Sequence, residues 1–63
     1  MDLWTIKRND GMYLKTEGLV TKEDEWTNSL NEAILYEDNQ KRQKILLKDE
    51  RFVRVKIIKI EEE

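Results

Sequence analysis

The stretch Leu3-Trp4-Thr5-Ile6-Lys7-Arg8-Asn9-Asp10-Gly11-Met12-Tyr13-Leu14-Lys15 decides how this chain folds. From Leu3 to Lys7 apolar and polar side chains alternate, the period of a half-buried strand. Asn9-Asp10-Gly11 is hairpin-turn chemistry, and Met12 to Lys15 follow as the return strand. Register then fixes the loop length, because a one-residue slip sends apolar side chains to the wrong face. A two-residue Asp-Gly turn sets Ile6 opposite Lys15 and Lys7 opposite Leu14. A three-residue loop, closed by Gly11 in the left-handed region, sets Ile6 opposite Leu14 and Arg8 opposite Met12. It gathers Trp4, Ile6, Met12 and Leu14 on one face, and is the reading preferred here.

Moving outward, residues 16–25 are polar apart from Leu19-Val20 and read as a loop with a brief extended stretch. Thr27, Asn28 and Ser29 are helix N-cap residues, and Ser29 with Glu32 fits a capping box. Leu30, Ala33 and Ile34 then share one helical face. Glu37-Asp38-Asn39 after Tyr36 looks like a break and a fresh cap. Residues 40–48 favour helix but are also compatible with a strand paired through Lys48-Asp49-Glu50. Phe52 to Ile60 is strongly strand-like, with Val53, Val55 and Ile57 on one face. Ile58 and Ile60 fall on the other, with Phe52, Arg54 and Lys56, so either a bulge near Ile57-Ile58 or a partner covering that face is expected. Glu61-Glu62-Glu63 is expected to fray. The expected core is Trp4, Ile6, Leu14, Leu30, Ile34, Val53 and Val55. The expectation is one α+β domain over residues 1–63: a small antiparallel sheet, made of the hairpin and a C-terminal strand, packed on one or two helices.

A chain of 63 residues without cysteine or histidine excludes disulfides, thiol nucleophiles, Cys/His zinc sites and a histidine general base. Two isolated glycines build no phosphate loop. No spaced acidic motif resembles a calcium or magnesium loop, so no cofactor or metal is expected. A domain this small hardly encloses a substrate cleft, and no enzymatic activity is expected. No apolar run approaches a membrane span, and the pattern of a signal peptide is absent. A cytoplasmic protein is therefore expected.

Net charge is −2, but its distribution is uneven. Residues 17–38 hold Glu17, Glu23, Asp24, Glu25, Glu32, Glu37 and Asp38 against Lys22. Residues 41–59 hold Lys41, Arg42, Lys44, Lys48, Arg51, Arg54, Lys56 and Lys59 against Asp49 and Glu50. The two halves either pair with each other on folding or leave one half facing a charged partner.

Two stretches, Ile6-Lys7-Arg8-Asn9-Asp10-Gly11-Met12-Tyr13-Leu14 and Trp26-Thr27-Asn28-Ser29-Leu30-Asn31-Glu32-Ala33-Ile34-Leu35-Tyr36, together resemble a loose group of small phage-encoded proteins of low-GC Gram-positive bacteria. The resemblance covers roughly residues 4–36 and rests on structural residue types; the segment after Asp38 departs from the group's alanine-rich pattern. It implies an accessory phage gene, a class that often encodes small binders of host proteins, including anti-CRISPR and other anti-defence inhibitors. By analogy, the expected role is a non-enzymatic protein that inhibits or redirects a host protein.

Three surfaces are candidates. Glu23, Asp24, Glu25 and Trp26, with Ile58 and Ile60, are candidate protein-binding residues. Trp is enriched at binding hot spots, and the acids either imitate a nucleic-acid backbone toward a basic groove or form a solvated loop. The alternative is that Trp26 packs over the hairpin. Lys41, Arg42, Lys44, Arg51, Arg54 and Lys56 are candidate nucleic-acid contacts for a small regulator, although only Phe52 is nearby for stacking. Finally, Phe52–Ile60 is a candidate homodimer contact, as in a structural oligomerising subunit.

Overall fold

The computed structural model describes residues 2–18, 21–42, 45–56 and 61–62. Among these residues the sheet has six strands: β1 (Leu3–Arg8), β2 (Tyr13–Thr16), β3 (Glu25–Thr27), β4 (Tyr36–Glu37), β5 (Glu50–Lys56) and β6 (Glu61–Glu62). The spatial order is β3-β2-β1-β5-β6, with β4 also on β1, and every pairing is antiparallel.

The hairpin has the expected three-residue loop. Arg8 N–H donates to the Met12 carbonyl (2.8 Å) and Gly11 N–H to the Arg8 carbonyl (3.0 Å). Gly11 has φ +88°, a conformation that costs an L-residue roughly 1–2 kcal/mol. Lys7 lies opposite Tyr13, the register that sets Ile6 opposite Leu14.

One margin of β1 is taken along its whole length by β5, from Leu3 opposite Val55 to Arg8 opposite Glu50. The other margin is divided. Near the tip it meets β2, and at its start Leu3 and Trp4 face Glu37 and Tyr36 of β4. The hairpin therefore opens like a fork, and residues 34–37 occupy the gap. Ile34 N–H donates to the Leu14 carbonyl (2.9 Å), which supplies that backbone group with a partner where β1 has moved away.

The core sits at this fork. Ile6, Leu14 and Tyr36 are buried together, with Trp26, Ile34, Leu46 and Phe52 packed against them. Leu14 pairs with Trp26 and Ile6 with Phe52, and directly paired residues share a face. Tyr36 meets Phe52 edge-to-face at 5.9 Å, a favoured aromatic geometry. Thr5, Val53 and Val55 are buried on the opposite face. Both faces of β1 are thus covered, and simple alternation missed Thr5.

Several expectations need correction. The helix after Ser29 is only a 3-10 turn at Leu30–Glu32; Ser29 makes no side-chain cap, and Ala33 is already extended. Glu32 instead accepts from the Thr27 hydroxyl (3.0 Å). The fresh cap at Glu37 does start a helix, α1 (Asp38–Lys41), with Gln40 accepting from Glu37 N–H (2.7 Å). It lasts one turn, so residues 45–47 belong to neither a helix nor a strand. The α+β expectation holds for the antiparallel sheet but gives too much helix. Trp26 lies on β3, not at a helix start. Trp4, Leu30 and Ile34 are half-buried rather than core. Tyr36 and Thr27 are buried in their place. Glu61-Glu62 pairs with Val55 and Lys56 instead of fraying, so only that end of β5 lies between two strands; from Glu50 to Arg54 the described pairing is with β1 alone. The expected bulge at Ile57-Ile58 lies outside the described residues.

Candidate functional site

Ile45 and Leu47, 90% and 66% exposed, are the two exposed large hydrophobic residues among those described. Leu46 between them packs against the core. One inward side chain thus anchors two outward ones. The backbone beyond is fixed as well. Glu50 N–H donates to the Leu47 carbonyl (3.0 Å), and the Glu50 carboxylate accepts from Leu47 N–H (3.2 Å). Asn9 N–H donates to the Asp49 carbonyl (2.9 Å), tying this turn to the hairpin loop. Exposed Arg42 and Lys48 stand on either side in the chain. Sequence reasoning missed this pair as a site. The signal was the triad Ile45-Leu46-Leu47 inside an otherwise polar stretch, too short to show a period.

The basic residues do not form one surface. Lys41 sits over the Trp4 ring, its ammonium 3.3 Å from the centroid and 5.5 Å from that of Phe52. Trp4 Nε1 donates to Asp38 (2.6 Å), so α1 grips Trp4 with a cation and an anion at once. Such a cation–aromatic contact contributes about 0.5–1 kcal/mol at an exposed site. Arg54, opposite Trp4, forms an ion pair with Asp2 (2.9 Å). Arg51 pairs in register with Lys7, and alternation along β5 puts its side chain on the face opposite Arg54. Arg42 and Lys56 are exposed. Lys44 lies outside the described residues.

The acidic stretch is likewise divided. Asp24 accepts from Gly18 N–H (2.6 Å). A Cβ at Gly18 would run into the backbone of Lys22 to Asp24, so this loop closes only around glycine. Glu23 and Glu25 are exposed. Glu17 accepts from the Tyr36 hydroxyl (2.5 Å), and burial followed by that bond pushes the Tyr36 phenol above its ordinary range. Trp26 is half-buried, with the Arg8 guanidinium 4.3 Å from its ring centroid. Asp10 holds that guanidinium through two bonds (2.6 and 3.1 Å). Arg8, aided by the Met12 amide, lowers the Asp10 carboxyl below its usual range. Of the expected protein-binding set, Ile58 and Ile60 lie outside the described residues.

At the end of the chain, Glu62 accepts from Lys7 Nζ (2.6 Å) and the Tyr13 hydroxyl (3.0 Å). The Lys7 bond, more than the Tyr13 bond, holds the Glu62 carboxyl below its ordinary value, against the opposing effect of burial. The same bond raises Lys7. A two-residue strand is thereby joined across the sheet to β1 and β2.

Among the described residues, no group of three or more acids is placed to hold a metal ion, and no helix is long and apolar enough to cross a membrane. Comparison with protein-family models, with curated proteins and with solved structures returned no match.

Proposed function

We propose that this protein works by binding another protein, without catalysis, through Ile45 and Leu47. The observation that carries this reading is the exposure of that pair on a backbone pinned by Leu46 and the turn at 47–50. Leaving two large aliphatic side chains in water forgoes about 1.5–3 kcal/mol each of burial. A pre-ordered apolar tip loses little conformational freedom on binding. Exposed Lys48, next to Leu47 in the chain, suits a partner whose apolar patch has an acidic rim. The resemblance to phage accessory proteins supports a host protein as the partner and the host cytoplasm as the place, with inhibition or redirection of that protein as the outcome. Phosphate binding has weaker support, because the basic side chains are divided between two faces and Lys41 is engaged by Trp4.

The test is a binding series on the partner captured from host lysate by the intact chain. Ile45→Ser with Leu47→Ser should keep the far-UV circular dichroism and lose affinity by about 30-fold for each ~2 kcal/mol hot spot removed. Raising salt should have a much smaller effect than the steep loss expected of phosphate contacts. Capture that is unchanged in the double variant refutes the assignment.

A further inference from the structure

Lys41 differs from the other cations that meet aromatic rings among the described residues. Lys7 lies 5.3 Å from the Tyr13 centroid and Arg8 4.3 Å from that of Trp26. Each meets one ring, and each is also held by a carboxylate, Glu62 or Asp10. The Lys41 ammonium meets two rings, Trp4 at 3.3 Å and Phe52 at 5.5 Å. The sheet puts these rings together. Trp4 stands opposite Arg54 and Ile6 opposite Phe52, so Trp4 and Phe52 are diagonal neighbours on one face of β1 and β5. Asp38 accepts from Trp4 Nε1 (2.6 Å), which fixes the indole and sets a negative charge at its edge. Both rings are half-buried, so both remain open to solvent.

We propose that Trp4 and Phe52 form a recognition site for a trimethylated lysine side chain of a partner protein, which Lys41 fills in the free chain as a resident stand-in. Aromatic faces recognise quaternary ammonium groups through the attraction of the ring quadrupole for a cation. Methylation spreads the charge and leaves less water to strip away, so a trimethylated ammonium suits two ring faces better than the primary ammonium of Lys41. Little holds the stand-in. α1 is a single turn with no buried residue, and one turn has little stability of its own. The rings belong to paired strands, so the lysine stem swings out without moving them. Asp38 at the ring edge attracts a cation and repels a phosphate, which favours a protein side chain over a phosphocholine headgroup. The site uses neither Ile45 nor Leu47, so it stands or falls apart from that tip.

The test is a titration of the intact chain with N-acetyl-trimethyllysine amide, followed through the indole N–H resonances of its two tryptophans. The Trp4 resonance should move and that of Trp26 should stay. Lys41→Ala removes the competitor and keeps helix propensity. It should tighten binding about three- to sixfold, the share of open sites that one exposed cation–aromatic contact withholds. A carbon analogue with a tert-butyl group in place of trimethylammonium has the shape without the charge, and should bind about tenfold more weakly. Phosphocholine should also bind more weakly. A Trp4 resonance that stays still in both wild type and Lys41→Ala at tens of millimolar probe would overturn the proposal. So would a neutral analogue that binds as well as the cation, tighter binding of phosphocholine, or a folded Lys41→Ala that binds no better than wild type.

Discussion

Thr5 is fully buried, and its hydroxyl finds no hydrogen-bond partner among the described residues. It stands opposite Val53 on the face that also buries Val55. A buried hydroxyl without a partner costs roughly 1–3 kcal/mol of stability. Thr5→Val replaces the hydroxyl with a methyl in nearly the same volume, keeps the β-branch the strand favours, and pairs two valines across β1 and β5. The expected change is a gain of about 1–2 kcal/mol. In a domain of this size that raises Tm by roughly 4–15 °C. Thermal and urea unfolding measure it, with the midpoint moving and the urea slope unchanged. Thr5→Ser is the control. It keeps the hydroxyl, removes one methyl and should lose about 1 kcal/mol. A Thr5→Val protein that melts at or below the wild type would show that the hydroxyl is satisfied, and the reasoning fails.

Two further outcomes are expected. Leu14→Ala, at the fork, should cost about 2–5 kcal/mol, against a total of about 3–9 kcal/mol for 63 residues; chemical denaturation should find it largely unfolded, while Leu30→Ala, in a half-buried 3-10 turn, stays folded. Glu62 titrates below its ordinary 4.5 in the folded chain, so its contribution is present above pH 4.5 and lost as pH falls through the depressed folded value; Tm profiles of wild type and Glu62→Gln should differ near neutrality and converge in acid, and a constant gap across that range would remove the ionised contact from the account.

The hairpin was legible because it is local. Asn9, Asp10 and Gly11 carry their turn preference wherever they occur, and only one loop length puts Ile6 across from Leu14. Val53 and Val55 were legible through alternation. The segment at 29–34 was not. Ser29 and Glu32 satisfy a capping pattern, but a helix there is too short to stand on propensity. The fork between β1 and β2 offers Ile34 N–H a carbonyl and Tyr36 a buried place, so a distant demand overrides the local signal. Thr5 was hidden because alternation assigns its face to water, whereas this strand is covered on both sides. Of the site residues, Trp26 and Asp24 were visible as types but not as parts already engaged within the fold. Ile45 and Leu47 stood out only as part of an apolar triad too short to show a period, and the split between them and Leu46 came from the packing of Leu46 on the core.

The fork also fixes an order of events in folding. Its tip closes through neighbours in sequence, a microsecond-scale step for a hairpin. Its open end is completed only when residue 34 returns to residue 14, and the chain between is a loop whose closure entropy must be met before any burial rewards it. The arrival of 34–37 closes a longer loop than the hairpin does, and the pairing of Phe52 with Ile6 closes a longer one still. Until 34–37 arrive, Ile6 and Leu14 stand exposed between two splayed strands, so the nascent chain is most open to misassociation at the very residues that later make its core.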